Sequence, residues 1–501
     1  MKKYDFVFVH PTTHIKTANS TTNDSITYVI MPLGTMAIAD LLDREGYEVK
    51  VIHTGIEQML NRDFSLKDLL KKYEVSMVGI DLHWYVHSYD AIRLAEMVKR
   101  YSNSFVVLGG FTASYFAEEI LSRFISVDAV IRGDSETPLL ELLKHRSGKE
   151  FNEVPNLIYR DGESIKNSNR RFIAKTSDLD RLNFSNFTLL SNFDKYRRCI
   201  SQFGDLDPYA VKAKLKTQGW TCIGRGCPVN CSYCGGGRKA FEILSGRLSP
   251  IFRSKEKVIE TLAEFEEMKI SCAYMDFDPL PEKRNYYHDL FDLIRREKID
   301  ISAQFLLWAP SDKRFLRDFR RTFNPLYSTI TMSPESGSEH IRELNKGFYY
   351  SNGKLFRWLD NVKKEIIPVQ LYFTSGLSGE TKRHFEETIK LGKKLVEEYP
   401  IVSISCSPIE LEPASPRFLY PKKYGISLKV KSFIDFYNVF KRLARGLSIT
   451  TQLGYRTDFL SEPQIVELSL RFREEISSKN YEKWQKFYFG DQHPRNPCSN
   501  R

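Results

Sequence analysis

Three cysteines lie close together near the middle of the chain, in the segment Cys227-Pro-Val-Asn-Cys231-Ser-Tyr-Cys234. Thiolates at this CxxxCxxC spacing can hold three irons of a cubane cluster and leave the fourth iron without a protein ligand, so that it is open to chemistry. An electron-transfer cluster takes a fourth cysteine, and a structural zinc site takes four nitrogen or sulfur ligands. The nearby Cys222 does not suit a common cluster or zinc spacing, although a four-cysteine site stays open as an alternative. The spacing therefore predicts an iron–sulfur cluster with one accessible iron.

The cysteine segment resembles the radical S-adenosylmethionine (SAM) superfamily. The resemblance rests on the spacing, on Tyr233 just before the last cysteine, and on the lead-in at 225–228. In that family the methionyl end of SAM binds the open iron, and one electron from the cluster cleaves the sulfonium to give a 5′-deoxyadenosyl radical. The resemblance implies a catalytic 4Fe-4S cluster on the three cysteines, with SAM bound beside Tyr233. The glycines at 235–237 would let a ligand approach the backbone closely.

The chain before these cysteines alternates short strands with helices. The predicted strands are rich in Val, Ile and Phe and cover residues 4–9, 48–52, 76–82, 105–110 and 128–133. Helical patterns cover residues 34–45, 90–101, 115–124 and 136–144. Alternation of this kind predicts an α/β fold with a doubly wound, flavodoxin-like parallel sheet. In such sheets ligands bind at the carboxyl ends of the strands.

The loops at these strand ends resemble the cobalamin-binding domain that precedes many radical SAM domains. The matching segments are Pro32-Leu33-Gly34, Leu108-Gly109-Gly110 and Arg132-Gly133-Asp134-Ser135-Glu136. The resemblance implies cobalamin contacts from Pro32, Leu33, Gly34, Gly109, Gly110, Arg132, Gly133 and Glu136. Without it, the same glycines also fit the tight strand-to-helix turns of any flavodoxin-like domain.

The DxHxxG motif that supplies a histidine to cobalt in many cobalamin enzymes is absent. The segment from Asp81 to Val86 begins like it, but Val86 replaces the glycine, and the segment follows the third predicted strand instead of the first. We therefore expect no histidine on cobalt. This matches the radical SAM branch whose cobalamin has a displaced dimethylbenzimidazole tail. Trp84 and Tyr85 are candidates to cover the lower face of the corrin, or are ordinary packing aromatics.

Strands and helices alternate again from residue 219 onward. The predicted strands cover residues 220–223, 272–277, 301–305, 327–332, 369–373 and 402–405, and the predicted helices cover 255–268, 287–298, 353–364 and 383–399. About six strand–helix units predict a partial (β/α)6 barrel, whose active site lies at the carboxyl ends of the strands. The cysteine loop follows the first of these strands and so lies at that end.

Three further strand-end loops match SAM-binding elements of the family. By this resemblance Asp276 and Asp278 bind the amino end of SAM, Glu335, Ser336 and Ser338 bind the ribose or carboxyl end, and Gly376 and Gly379 let the adenine approach. Each loop alone is also typical of a turn or a helix cap. Their common place at the strand ends favours the functional interpretation.

These patterns divide the chain into four parts: a cobalamin-binding domain at 1–150, a connector at 151–215, a radical SAM partial barrel at 216–425 and a small, mostly helical region at 426–501. Within the connector the sequence predicts a hairpin that turns at Asp161-Gly162. In the last part, apolar residues recur at helical spacing over 433–443 and 465–472. The resemblance covers roughly 4–425, and we expect the last region to help close the substrate side.

Composition limits the partners and the compartment. The 501 residues, 42% hydrophobic and 27% charged, are typical of a soluble globular protein, and the pattern of apolar residues leads us to expect neither a membrane span nor a signal peptide. Eight cysteines with a cluster motif in a chain of this size indicate a reducing compartment, so we expect a cytoplasmic protein. The net charge of +11 comes from Lys and Arg spread over mixed-sign helices, so we expect no nucleic-acid partner.

Together the resemblances imply a cobalamin-dependent radical SAM enzyme. We expect a methyltransferase that adds a methyl group to an unactivated carbon or a phosphinate-like centre through methylcobalamin and a 5′-deoxyadenosyl radical. The alternatives are non-methylating chemistry (cyclisation, ring contraction or lipid cross-linking) and a cobalamin-responsive or redox-sensing binding protein. An RNA methylthiotransferase would need a second cysteine trio, and no cysteine precedes Cys199. The expected partners are a small-molecule or lipid substrate, with basic charge favouring an acidic one, and a low-potential donor such as a ferredoxin or flavodoxin.

Overall fold

The computed structural model describes residues 2–12, 14–16, 25–27, 32–146, 150–193, 195, 218–275, 285–325, 328–399, 401–446 and 453–477. Within these ranges the protein is an α/β structure built around two sheets of mainly parallel strands. Helices pack against each sheet and cover the apolar faces of its parallel strands.

The N-terminal half forms the first sheet. Its strands and a small ribbon are β1 Lys3–His10, β2 His14–Lys16, β3 Ser25–Thr27, β4 Val49–His53, β5 Glu74–Asp81, β6 Phe105–Gly109, β7 Ala129–Ile131, β8 Leu157–Asp161 and β9 Ser164–Asn167. The sheet order is β4-β1-β5-β6-β7-β8-β9, and β2 pairs with β3 separately. The first five strands are parallel, and β8 and β9 are antiparallel additions at one edge. This is the predicted doubly wound sheet.

The helices of this half connect successive strands. They are Leu33–Arg44, Thr54–Leu60, Leu66–Lys72, Ser88–Tyr101, Phe111–Tyr115, Ala117–Arg123, Glu136–Lys144 and Thr176–Asp180. The four predicted helices are present, with the third one divided at Phe116. The predicted hairpin is also present, but it extends the N-terminal sheet and is not part of a separate connector. Because Asp161 pairs with Ser164, its turn lies at Gly162-Glu163, one residue later than predicted.

The second half of the chain forms the second sheet. Its six strands are β10 Gln218–Trp220, β13 Cys272–Met275, β14 Ser302–Leu307, β15 Thr329–Glu335, β16 Val369–Ser375 and β17 Ile401–Pro408. Two separate two-stranded ribbons pair β11 Gly224–Arg225 with β12 Ile251–Phe252, and β18 Ile426–Leu428 with β19 Tyr455–Thr457. The order β10-β13-β14-β15-β16-β17 follows the chain, and all neighbours are parallel. Sequential order of six parallel strands is the arrangement predicted for the partial barrel.

The helices of the second half form a layer against this sheet and continue into the C-terminal region. They are Arg238–Ser245, Lys255–Glu267, Tyr286–Arg296, Lys313–Thr322, Glu339–Lys346, Asn352–Lys364, Lys382–Glu398, Pro416–Leu419, Phe433–Ala444 and Glu462–Glu475. The first strand ends at Trp220, so the predicted strand residues 221–223 run instead as a loop toward the cysteines. None of the helices in the described ranges has the length and apolar character needed to cross a bilayer.

The two helices of the C-terminal region pack on different parts of the molecule. Phe472 of the helix Glu462–Glu475 lies 5.4 Å from Phe373 of β16, between ring centroids, so this helix covers the outer face of the last barrel strands. The helix Phe433–Ala444 instead packs against the N-terminal domain, where Phe433 contacts Phe116 and Phe124. The C-terminal region therefore contacts both domains.

Candidate active site

The cysteine loop is held by the end of the helix Glu339–Lys346. Ser232 is buried, and its backbone N–H and its hydroxyl donate to the carbonyl and side-chain oxygens of Asn345, at 2.7 and 2.6 Å. The thiol of Cys231 donates to the carbonyl of Lys346 at 3.4 Å. The thiol of Cys234 accepts from the N–H of Gly236 at 3.3 Å. These contacts fix the loop while all three cysteines stay partly exposed.

A second support comes from residues 409–417, the loop after the last barrel strand. The carboxylate of Glu412 accepts from the N–H of Gly235 at 2.5 Å, and a Cβ on Gly235 would lie 2.5 Å from the carbonyl oxygen of Pro413. The N–H of Arg417 donates to the carbonyl of Ser232 at 2.8 Å. The sequence analysis missed this loop, although acidic residues directly after a predicted barrel strand were a usable signal.

The protonation of the cysteines follows from their surroundings. Burial raises the pKa of Cys234 well above its usual value, and the nearby Glu412 and Cys231 raise it further. Burial likewise raises the pKa of Cys231. Both sulfurs are therefore thiols in the protein alone, and iron binding must displace their protons.

The donor set fits a cluster better than a single zinc ion. In the described part of the chain no three His, Cys, Asp or Glu side chains are placed to hold one metal ion. A cubane places its cysteines on separate irons, so it does not require the three sulfurs to meet at one point. The thiol of Cys222 is directed to the carbonyl of Gly224 at 3.7 Å, and its charge interactions include Arg253 and Arg225.

Tyr233 connects the cysteine loop to the end of β15. Its hydroxyl donates to Glu335 at 2.8 Å, and the same carboxylate accepts from Lys346 at 3.3 Å and from the hydroxyl of Thr374 at 3.2 Å. Burial raises the pKa of Tyr233 well above its usual value, and the Glu335 charge adds to it. Glu335 has a φ of 65°, next to an irregularity in the pairing of β15 with β16. Tyr233 and Glu335, each predicted separately to contact SAM, are thus in contact with one another.

The remaining predicted SAM contacts are placed differently. Ser336 and Ser338 are buried, and the Ser336 hydroxyl lies 3.3 Å from that of Thr388 in the helix Lys382–Glu398. A Cβ on Gly376 would lie 2.7 Å from Ile465 and from the Tyr455 hydroxyl, and one on Gly379 would lie 2.9 Å from Leu344. These glycines therefore permit close packing of the protein against itself. Asp276 and Asp278 lie outside the described residues.

The loop 132–136 of the N-terminal domain makes a buried ion network with the radical SAM domain. Asp134 accepts from Arg225 at 2.8 Å and from Arg247 at 2.6 Å, and Glu136 is also paired with Arg225. Burial alone would raise the pKa of Asp134, but Arg225 and Arg247 outweigh it and lower this pKa. Arg225 leads directly into the cysteine loop, so this network joins the two domains beside the cluster site.

Gly133 and Arg132, next to this network in the sequence, also contact other parts of the protein. A Cβ on Gly133 would lie 2.9 Å from the side chain of Ser245, in the helix that follows the cysteines. Arg132 is paired with Glu118 at 2.7 Å. The segment predicted to contact cobalamin therefore forms an interdomain contact through Gly133, Asp134 and Glu136.

The strand ends of the N-terminal sheet leave room for a ligand at two glycines. A Cβ on Gly34 or Gly109 would meet nothing within 4 Å. Gly110 differs, since it has a φ of 103° and a Cβ there would lie 2.5 Å from the backbone of His83. Pro32 is buried at the start of the helix Leu33–Arg44, and Leu33 is half-buried. Open space at Gly34 and Gly109 fits a group that approaches the backbone at this edge.

A cluster of histidines lies at the same strand ends. His10 Nδ1 is 2.9 Å from Asp81, and the His10 ring lies 4.6 Å from the ring of His53 and 5.4 Å from that of His87. Burial lowers the pKa of His87 to about 3, so its imidazole is neutral. His10 Nε2 and His87 Nδ1 are buried without a partner among the described residues. These polar atoms fit a polar ligand at this edge, and the sequence analysis missed them although His10 and His53 each end a strand.

The segment that resembles DxHxxG lies between the two domains. The His83 ring stacks on Phe111 at 4.7 Å, and burial lowers the pKa of His83, so this imidazole is neutral. The Tyr85 hydroxyl donates to Glu410 of the barrel at 2.6 Å. Trp84 has 43% of its surface exposed at the same edge. Tyr85 is thus engaged between the domains, and Trp84 is the aromatic side chain that faces solvent.

Comparison with protein families gives one match for each domain. Residues 20–143 match the B12 binding domain, and residues 221–392 match the radical SAM superfamily. The second match spans the cysteine loop and four of the six strands of the second sheet, β13 to β16. Both predicted cofactor-binding domains are therefore confirmed.

Three curated relatives are similar over different parts of the chain. An uncharacterized methyltransferase of Pyrococcus horikoshii is 26% identical over 392 residues, covering 75% of each chain. The cytidylyl-2-hydroxyethylphosphonate methyltransferase of Streptomyces wedmorensis is 24% identical and covers 40% of this chain and 43% of its own length. An anaerobic magnesium-protoporphyrin IX monomethyl ester cyclase of Synechocystis is 20% identical and covers 41% of this chain and 38% of its own length.

Two solved structures share the fold. The radical SAM methyltransferase TsrM from Kitasatospora setae, with cobalamin and a [4Fe-4S] cluster bound, has a TM-score of 0.65 at 15% identity and covers 88% of this chain and 82% of its own. The cobalamin-dependent SAM radical enzyme OxsB, with aqua-cobalamin and SAM bound, has a TM-score of 0.55 at 14% identity and covers 92% and 65%. The chain therefore combines a B12 binding domain with a radical SAM domain, and its cofactors are cobalamin, a 4Fe-4S cluster and SAM.

Proposed function

We propose that this enzyme is a methyltransferase that transfers a methyl group from SAM, by way of cobalamin, to an unactivated centre of a small molecule. The observation that carries the proposal is the buried network of Asp134 and Glu136 with Arg225 and Arg247. It fixes the cobalamin domain against the lead-in to the cysteine loop, as methyl transfer between the two sites requires. The Pyrococcus relative named a methyltransferase supports the same reaction.

The protein contributes ligands, orientation and exclusion of water. Cys227, Cys231 and Cys234 would hold the cluster, and Asn345 and Glu412 fix their loop. When bound, the cluster and cobalamin supply the one-electron and methyl-carrying chemistry that side chains lack. The hydrogen bond from Tyr85 to Glu410 connects the N-terminal domain to the loop that follows the last barrel strand.

We propose fewer cofactor-contacting residues than the sequence alone implied. We assign Gly34 and Gly109 to cobalamin, because space beside them is open, and Tyr233 and Glu335 to the border of the SAM site. Gly110, Gly133, Gly376 and Gly379 permit close packing of the protein against itself, and their contacts with the cofactors stay predictions. Contact of SAM with Asp276, Asp278, Ser336 and Ser338 stays a prediction.

We further propose that a low-potential donor such as a ferredoxin or flavodoxin reduces the cluster. The enzyme would work in the cytoplasm, because a cluster on accessible thiolates requires a reducing compartment. Neither proposal depends on the identity of the substrate.

Non-methylating ring formation is the second candidate. It is favoured by the similarity to the magnesium-protoporphyrin IX monomethyl ester cyclases of Synechocystis and Cereibacter sphaeroides. The chain spans less than half the length of these cyclases, so the similarity covers only part of them. The two candidates share both cofactor domains and differ in the fate of the methyl group.

Product stoichiometry separates the two candidates. The reconstituted enzyme is incubated anaerobically with SAM, hydroxocobalamin, a low-potential reductant and cell extract, and the products are quantified by mass spectrometry. Methyl transfer should give S-adenosylhomocysteine and 5′-deoxyadenosine in about equal amounts, since one SAM supplies the methyl and another removes hydrogen. A Cys231→Ala protein is the control and should give no 5′-deoxyadenosine. If extract stimulates 5′-deoxyadenosine without S-adenosylhomocysteine, the reaction is the non-methylating one.

A further inference from the structure

The strands of the radical SAM domain have two chemically different faces. One face packs against helices: a Cβ on Gly219 would lie 2.5 Å from Phe265, Phe305 contacts Phe315, and Phe373 contacts Phe472. The residues on this face are apolar and buried. Because side chains alternate along a strand, the intervening residues all face the inside of the partial barrel.

The inner face carries hydroxyl, amide and aromatic groups. Its members include Tyr274, Gln304, Thr331, Gln370, Tyr372 and Ser405, which pair across neighbouring strands in register. Apart from Glu335 at the end of β15, the inward positions of the described strands carry no Asp, Glu, Lys, Arg or His. A closed (β/α) barrel usually fills this space with branched apolar residues. A polar, uncharged interior indicates that something other than the protein's own core occupies it.

Two features indicate a ligand in this interior. The side-chain Nε2 of Gln370 is buried and has no hydrogen-bond partner among the described residues, although its Oε1 accepts from Tyr372 at 3.2 Å and lies 3.4 Å from the Thr331 hydroxyl. Buried amide donors are nearly always satisfied. Along β16 the inward side chain of Gln370 is 1% exposed, and that of Tyr372, two residues nearer the carboxyl end, is 37% exposed. The interior is therefore accessible beside Tyr372.

The charges around the interior do not suit an anion. The buried cation nearest the cysteine loop, Lys346, is already bound to Glu335 and to the carbonyl of Ser333 at 2.8 Å. The buried guanidinium of Arg417 is directed to backbone carbonyls of residues 376, 409 and 410. The carboxylates of Glu410 and Glu412 lie at the open end. An anionic substrate would lose its hydration here without gaining a cation from the described residues.

We propose that the substrate is an uncharged molecule that presents a planar ring and several hydrogen-bonding groups to this inner face. Tyr274 and Tyr372 would contact the ring, and Gln370 with Thr331 would bind its polar groups. The proposal rests on the proposed function, whose site it shares. It replaces the expectation of an acidic or phosphorylated substrate, which followed from the net charge alone.

The test begins with binding in the absence of turnover. The holoenzyme with SAM, but without reductant, is mixed anaerobically with a metabolite extract that ion exchange has divided into uncharged, anionic and cationic fractions. Compounds retained on ultrafiltration are identified by mass spectrometry. We expect retention of an uncharged compound with ring absorbance, and we expect the same compound to stimulate 5′-deoxyadenosine formation once reductant is added.

Variants identify where the compound binds. Tyr372→Leu and Gln370→Leu should each weaken its retention at least about tenfold, because a site built to hydrogen-bond a ligand discriminates strongly when a partner is lost. Tyr349→Leu is the matched control, since Tyr349 is 54% exposed on the surface, and should retain the compound as the wild type does. Iron content is compared in all three to confirm that the cysteine loop is intact.

The outcomes for substrate class and for reaction type are separate. A retained and consumed compound that carries a phosphate, carboxylate or ammonium group would overturn the proposal. So would a neutral compound that both inner-face variants retain normally. Formation of S-adenosylhomocysteine reports methylation independently of the substrate class. If a neutral ring compound is consumed without S-adenosylhomocysteine, the methyltransferase proposal is contradicted and the proposed substrate class is still supported.

Discussion

The three cysteines of the cluster loop differ from Cys222 in their surroundings. Changing Cys231 to Ala should remove bound iron and abolish 5′-deoxyadenosine formation, because a cubane with one open iron needs all three thiolates. Cys222→Ala should keep its iron, since that thiol is directed to the carbonyl of Gly224. Iron and sulfide analysis after anaerobic reconstitution measures both. Equal iron loss in the two variants would revive the four-cysteine site.

The adjacent glycines at the end of β6, Gly109 and Gly110, should respond differently to substitution. Gly109→Val should leave the apoprotein stable, because its Cβ has open space, but should reduce cobalamin occupancy. Gly110→Ala should lower the free energy of unfolding by roughly 1–3 kcal/mol, because its φ is 103° and a Cβ would collide with the His83 backbone. Chemical unfolding of the apoprotein and cobalamin absorbance measure the two effects. If Gly109→Val bound cobalamin normally, the assignment of Gly109 to cobalamin would be wrong.

Glu380 gives the enzyme a pH-dependent stability. Burial raises its pKa from 4.5 to about 8, despite hydrogen bonds from the N–H groups of Gly376 and Leu377. The native state therefore holds a proton that the unfolded chain releases between these values, so the free energy of unfolding should fall as pH rises across that window. The fall over the whole window should reach at most about 5 kcal/mol. Glu380→Gln should remove most of it.

Urea unfolding at about pH 5 and about pH 8 measures this decline, because both values lie inside or at the edge of the window. The control is Glu343→Gln, at an exposed position of the helix Glu339–Lys346. It should keep the wild-type dependence on pH. A Glu380→Gln protein that lost stability over the same window as steeply as the wild type would show that another group is responsible.

At the scale of elements, the strands and helices could be predicted because their burial leaves a periodic pattern. The predicted helix 136–144 has the observed bounds, and β13 to β17 start within about two residues of their predicted positions. The short helix Glu339–Lys346 was missed, although it holds the cysteine loop through Asn345. Local patterns cannot show contacts between distant segments. Gly133 and Gly376 look like ligand-contacting glycines until their packing against Ser245 and Ile465 is known.

The interdomain network is also invisible in the sequence, since Asp134 and Arg247 are 113 residues apart. Asp134→Ala should lower the free energy of unfolding by about 3–5 kcal/mol, because it leaves Arg247 buried without its charge partner. Asp161→Ala breaks the exposed pair with Lys166 and should cost at most about 1 kcal/mol. Denaturant unfolding compares the two variants. Equal effects would mean that the network contributes no more than a surface pair.

At the scale of the whole molecule, the C-terminal region joins the N-terminal domain to the barrel. The helix Phe433–Ala444 is capped by the N-terminal domain, since Glu119 accepts from the N–H groups of Phe433 and Ile434 at 2.8 and 3.2 Å. Its aromatic residues contact Tyr85, Phe116 and Phe124. The helix Glu462–Glu475 packs on the last barrel strands, where Ser375 donates to the carbonyl of Ile465 at 2.8 Å. The two domains should therefore unfold together.

Phe436 is the residue whose loss should separate them. Its side chain is 3% exposed and contacts Tyr85 and Phe116 of the N-terminal domain and Phe418 of the barrel. Phe436→Ala should lower the free energy of unfolding by about 3–5 kcal/mol, because the cavity lies where three parts of the chain meet. Scanning calorimetry should show one transition in the wild type and a lower or divided transition in the variant. Phe459→Ala is the matched control, since Phe459 is 59% exposed in the same region, and it should leave the transition unchanged. If the two variants unfolded alike, the aromatic contact would not couple the domains, and the Asp134 network would have to hold them together on its own.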